Sequence, residues 1–236
     1  MMLAGLMKKE SILIDNIPGI LLGEKSDRIY LYVHGQGGNK EEAVRFAQIA
    51  DPKGWQVLGI DLPEHGERKD TAKLYPWEVI PELNKAAEYL AGNWSNVAIR
   101  ANSIGAWFSM LAFSRKHLEK CLFVSPVLDM ERLITDMMKW SLVTEEQLQI
   151  KKEIPTDFGQ TLSWDYLCYV RQHPVTEWNI PTEILYAGND NMIQKETVTA
   201  FAAKFHCNLT VMENGEHWFH TAEQLQVLND WEQRMA

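Results

Sequence analysis

Stretches of nearly unbroken apolar residues punctuate this chain: "DRIYLYVHG", "WQVLGIDLP", "NVAIRANS", "KCLFVSP", "TEILYAGND" and "NLTVMENG". A strand with one face in water alternates polar and apolar side chains, so runs of this kind mark strands covered on both faces, as in a parallel sheet. The segments between several of them, "KEEAVRFAQIA", "PWEVIPELNKAAEYLAG" and "GAWFSMLAFSRKH", carry apolar residues at helical spacing instead. Strand and helix alternate, which requires right-handed βαβ crossovers. The expected fold class is therefore α/β: a mostly parallel central sheet with helices on both faces. Two earlier strands, "ESILIDN" and "PGILLGE", are separated by a proline-glycine break and predict an antiparallel start. A closing helix, "TAEQLQVLNDWEQRM", is expected to cover the sheet.

One interval breaks this rhythm. Val127 to Trp178 separates two strand candidates by about fifty residues, far more than a helix and two turns. It holds three helical stretches, "DMERLITDMMKW", "TEEQLQIKK" and "LSWDYLCYVRQ". The last suits the crossover helix. The first two then form an insertion beyond a strand's carboxyl end, where open α/β sheets bind ligands. Residues 127–178 are thus expected to contain a small helical cap. No seam, repeat or low-complexity tract divides the chain, so one domain over residues 1–236 is expected. With 46% hydrophobic and 23% charged residues, it has the composition of a globular protein with a sizeable core.

The formal net charge of −9 argues against a nucleic-acid partner, because a polyanion requires basic surface to displace its counterions. Cys121, Cys168 and Cys207 are odd in number and widely spaced, so they read as free thiols in a reducing compartment. The start, "MMLAGLMKKES", places its lysines after a short apolar run, the reverse of a secretory signal. No later run reaches the roughly 18 to 20 apolar residues of a membrane span. A cytoplasmic location is expected.

The candidate chemistry centres on "IRANSIGAWF". Ser103 lies between a strand and a helix, where a serine ordinarily serves as an N-cap. The same setting suits a nucleophile elbow, in which the residues two before and two after the serine approach neighbouring backbone and must be small. Ala101 and Gly105 are small. A nucleophilic serine needs a base, since its hydroxyl is almost fully protonated at neutral pH. His217, in the turn "ENGEHWF" after the last strand and before the closing helix, is favoured over His220, which is placed to begin that helix. The imidazole needs a carboxylate partner at the end of another strand. Asp190, in "ILYAGNDNMI", is preferred to Asp129, which suits an N-cap for "MERLITDMMKW". For the oxyanion, "VHGQGGNKEE" turns from a strand into a helix and can present amides. The backbone N–H groups of Gln36 and Ile104 are the expected donors. The glycine-rich turn has neither dinucleotide nor Walker spacing, and no zinc-ligand spacing is present, so no cofactor and no metal are expected.

On "HGQGG" after the third strand, "DLPEHGER" after the fourth, "ANSIG" at the elbow, and late "GND" and "GEH", the chain resembles an α/β-hydrolase-fold serine hydrolase over about residues 28–236. The resemblance implies Ser103 as nucleophile, His217 as base, Asp190 as acid, and the amides of Gln36 and Ile104 as oxyanion hole. Ala101 stands where a glycine is commoner, and "HGQGG" departs from the "HGGG" of the hormone-sensitive-lipase group. His34 and His65 sit in family motifs and read as structural hydrogen-bonding groups.

The expected activity is hydrolysis of small or medium acyl esters through an acyl-enzyme, with a small ester-like molecule as substrate. Peptide or amide, thioester and carbon–carbon bond hydrolysis use the same triad. A non-catalytic ligand-binding protein on this fold is the alternative of another class. A modest apolar cleft under the insertion is expected, with walls drawn from Trp107, Met192, Ile193, Trp218, Met137, Met138 and Trp140.

Overall fold

The computed structural model describes residues 7–236. The reading of the amino terminus as lacking a secretory signal rests partly on residues 1–6, outside that range. In chain order the elements are β1 (Lys9–Ile14), β2 (Ile17–Leu22), β3 (Arg28–Val33), α1 (Ala43–Ala50), β4 (Gln56–Ile60), α2 (Pro76–Asn93), β5 (Asn96–Asn102), α3 (Ser103–Phe113) and β6 (Cys121–Val124). Then follow α4 (Met130–Trp140), α5 (Glu145–Lys151), β7 (Glu153–Pro155), β8 (Thr161–Ser163), α6 (Trp164–Gln172), β9 (Thr182–Ala187), α7 (Lys195–Phe205), β10 (Asn208–Met212) and α8 (Ala222–Met235).

Eight strands form one sheet in the order β1-β2-β4-β3-β5-β6-β9-β10. β1 and β2 make the antiparallel entry, β2 pairs antiparallel with β4, and every later pairing is parallel. The α/β class read from the apolar runs is the class observed. Alternation along the strands sorts side chains to two faces. Ile29, Leu31 and Val33 of β3, with Ile99 and Ala101 of β5, pack under α2, α3 and α7. Tyr30 and Tyr32, with Ala98, pack under α1 and α8.

Helix α7 and the β7–β8 hairpin were not anticipated. Helix α7 fills the crossover between β9 and β10, yet it buries only Val198, Phe201 and Ala202 and has no side-chain N-cap bond, so its pattern is faint. The β7–β8 hairpin lies inside the 127–178 interval and has strands of three residues, too short to display a period of two. With α4 and α5 it precedes α6 and covers the α2/α3 side, where Met130, Leu133, Ile134, Leu148 and Leu162 join the core. Among the described residues no helix is long and apolar enough to cross a membrane.

Candidate active site

At the carboxyl end of β5 the chain turns abruptly into α3. Ser103 sits at that turn with φ +47°, a left-handed conformation costly for a residue with a side chain. The neighbours make the turn possible. Ala101 is fully buried. A Cβ on Gly105 would stand 2.4 Å from the carbonyl oxygen of His34 and 2.7 Å from that of Val33, so α3 packs against β3 only with glycine there.

The loops after β9 and β10 reach the same edge. Gly188 lets them close on one another, since a Cβ there would lie 2.4 Å from the Glu213 carbonyl oxygen. Asp190, its side chain fully buried, accepts hydrogen bonds through Oδ1 from the amides of Met192 (2.8 Å) and Ile193 (2.9 Å). Its Oδ2 lies 2.6 Å from His217 Nδ1, and His217 Nε2 lies 2.8 Å from Ser103 Oγ. With Nδ1–H donated to the carboxylate, Nε2 is left to accept the serine proton. Three residues far apart in the chain thus form one hydrogen-bonded series, able to remove a proton from an alcohol and to stabilise the resulting imidazolium.

The competing residues are engaged elsewhere. Asp129 accepts from the Arg132 amide and caps α4. His220 Nδ1 lies 2.8 Å from the Trp218 carbonyl oxygen, and its ring stacks on that tryptophan. His34 donates from Nδ1 to the Gly35 carbonyl and accepts at Nε2 from the Leu62 amide, while His65 accepts at Nε2 from the Gly37 amide; both tie down the loops after β3 and β4. Burial lowers the His34 pKa to about 4 against the opposing effect of its bond to Gly35.

The series faces a cleft of about 1550 Å³, larger than the modest pocket expected. Gln36 and Ile104 line it. Ile104 is the second residue of α3, so its N–H is one that a helix cannot pair internally. Met137, Met192 and Trp218 also line it, Trp218 being 76% exposed at its mouth. The other expected wall residues lie outside it. Trp107 is buried in the core and stacks on Tyr166, because α3 is enclosed almost all round. Ile193 is buried, and its backbone holds Asp190 and the Tyr186 hydroxyl. Met138 points into the core beside the cleft-facing stripe of α4, and Trp140 is half exposed against Phe158 at the end of that helix.

Sequence reasoning missed much of the wall. One side comes from the 127–178 interval; its α4 part is apolar, through Met130, Leu133 and Ile134 beside the expected Met137, joined by Leu162 and Tyr166, while Glu153, Gln160 and Thr161 of the β7–β8 hairpin region add polar groups at its edge. The other is polar and comes from the α1/α8 face. There the Arg100 guanidinium donates to Glu232 Oε1 at 2.8 Å and to Asn102 Oδ1 at 2.6 Å. Asn102 Nδ2 donates to the Tyr32 hydroxyl at 2.9 Å and stands 3.5 Å from Glu42 Oε2. Burial holds the Glu42 carboxyl above the usual carboxylate range, with Arg100 pulling the other way. The available signal was Arg100 itself, a charge in the middle of a strand covered on both sides.

No family model and no curated protein matches the chain. Among solved structures, Est1E from Butyrivibrio proteoclasticus, with ferulic acid bound, superposes with a TM-score of 0.77 at 17% identity, over 95% of this chain and 96% of that one. An esterase from Pyrococcus furiosus gives a TM-score of 0.70 at 16% identity, over 97% and 88%. The mouse alpha/beta hydrolase domain-containing protein 10 gives 0.77 at 11% identity, over 97% and 100%. The chain has the α/β-hydrolase fold.

Proposed function

We propose that this chain is a serine hydrolase acting on carboxylic esters, with Ser103, His217 and Asp190 as its catalytic triad. The observation that carries the reading is the continuous hydrogen-bonded series from Ser103 Oγ to the buried Asp190 carboxylate, opening on a cleft at the carboxyl edge of the sheet. Likeness of fold to two esterases supports it.

In the reaction, Ser103 Oγ attacks the ester carbonyl as His217 Nε2 takes the hydroxyl proton. The developing oxyanion accepts from the amides of Gln36 and Ile104. The carbonyl–oxygen bond to the alcohol breaks, and the alcohol leaves with the proton from His217. Water then gives a proton to the same nitrogen as it attacks the acyl-enzyme; the bond to Ser103 Oγ breaks, His217 returns the proton to that oxygen, and the acid is released. Each step uses side chains and amides of this chain, and none calls on a cofactor. The apolar wall from the 127–178 interval suits a small or medium acyl chain.

A fluorophosphonate reagent is expected to label Ser103, with labelling and turnover of p-nitrophenyl butyrate abolished in Ser103→Ala. Persistent labelling of that variant would move the nucleophile elsewhere. A folded wild-type protein that is neither labelled nor active would indicate a ligand-binding role instead. Faster cleavage of aminoacyl-arylamides or acyl thioesters than of p-nitrophenyl esters would reassign the reaction on the same triad.

A further inference from the structure

The two walls of the cleft differ in chemistry, and the position of His217 decides which part of an ester meets each. Its Nε2 delivers a proton to the departing alcohol, so the alcohol oxygen lies on the histidine side of the carbonyl. From His217 the chain runs through Trp218 to Phe219; both line the cleft, and Phe219 is packed in the α1/α8-face core. The cleft wall continues there with Tyr32, Glu42, Arg100, Asn102 and Glu232. Most of these groups spend their hydrogen bonds on one another: Arg100 on Glu232 and Asn102, and Asn102 on Tyr32. Glu42 differs in being solvent-exposed: Asn102, at 3.5 Å, the Tyr32 hydroxyl and the Asn39 backbone approach its carboxylate, and of its about four acceptor positions the remainder is open to the cleft. A plain alkyl alcohol offers Glu42 no donor.

Resting on the esterase reading, we propose that the α1/α8 wall is the subsite for the alcohol portion of the substrate and selects an alcohol bearing a further hydroxyl group, which donates a hydrogen bond to Glu42. The Arg100–Asn102–Tyr32 network holds the floor of this subsite rigid directly behind the nucleophile. The acyl chain occupies the opposite wall, along the apolar stripe of α4. The substrate class is thus an ester of a polyhydroxylated alcohol.

The test compares glyceryl monobutyrate with n-propyl butyrate, which share an acyl group and a three-carbon alcohol. Wild-type kcat/KM is expected to favour the glyceryl ester by about tenfold or more, the scale of one hydrogen bond to a charged group. Glu42→Ala should collapse that ratio about tenfold, and Glu42→Gln, whose amide oxygen still accepts, should retain part of it. Fluorophosphonate labelling of Ser103 verifies that each variant is folded at the site; if Glu42→Ala fails there, the Gln variant supplies the measurement. Equal wild-type rates for the two esters, or a ratio unmoved by either variant while Ser103 is labelled, overturns the subsite and leaves the esterase reading standing. An unlabelled, inactive wild-type protein overturns both.

Discussion

His34 shows how one side chain in this fold is held in a single protonation state. Its Nδ1–H is donated to the Gly35 carbonyl and its Nε2 faces the Leu62 N–H, so a second ring proton would point at a donor. The pKa near 4 in the folded chain lies below the ordinary histidine value of 6.5. Between these values the unfolded chain binds a proton that the folded one refuses, so stability falls as pH drops through this window. The full difference is on the order of 3 kcal/mol. Urea unfolding of wild type and His34→Asn at pH 7 and pH 5 checks this: the wild type should lose more stability between the two pH values than the variant. An equal loss would assign the acid sensitivity to other groups. In the sequence, His34 reads as a structural hydrogen-bonding group; its tautomer comes from Leu62, a residue on another loop.

At the scale of elements, the strands and most helices were legible because the residues that build them are adjacent in the chain. The elements of the 127–178 interval are less self-sufficient. Helix α5 has a capping box between Thr144 and Gln147 but buries a single residue, Leu148. Leu148→Ala should therefore detach it, with a cost of about 2 to 5 kcal/mol confined to this region. Hydrogen exchange is the suitable measurement, with protection expected to fall across α5 and the β7–β8 hairpin while β3 and β5 keep theirs. Uniform loss across the sheet would show that the interval and the sheet unfold as one unit.

Across the whole molecule, the closing helix is tied to the centre of the sheet by a buried ion pair. Arg100 on β5 and Glu232 on α8 are 1% and 3% exposed in their side chains, with nitrogen and oxygen 2.8 Å apart. Desolvation offsets much of the attraction in such a pair, but removing one partner strands the other charge. Glu232→Ala is expected to cost about 3 to 5 kcal/mol in equilibrium denaturation, and the double change Arg100→Met with Glu232→Leu should recover most of it. A Glu232→Ala variant as stable as the wild type would mean that water or another group satisfies Arg100.

The sequence by itself determined the class of fold, the antiparallel entry, the sharp strand-to-helix turn at Ser103, and the placing of Ser103, Asp190 and His217 after three different strands. These features depend on periodicity and on residues within a few positions of one another, and local sterics acts at that range. Only the tertiary structure decided the 2.6 and 2.8 Å distances that join Asp190, His217 and Ser103, and the division of the cleft into an apolar and a polar wall. It also sent Trp107, Met138 and Ile193 into the interior and left Trp140 at the surface. An apolar side chain satisfies a core and a pocket equally well by its own chemistry. Which of the two it lines depends on how distant segments pack around it, and no neighbour in the chain carries that information.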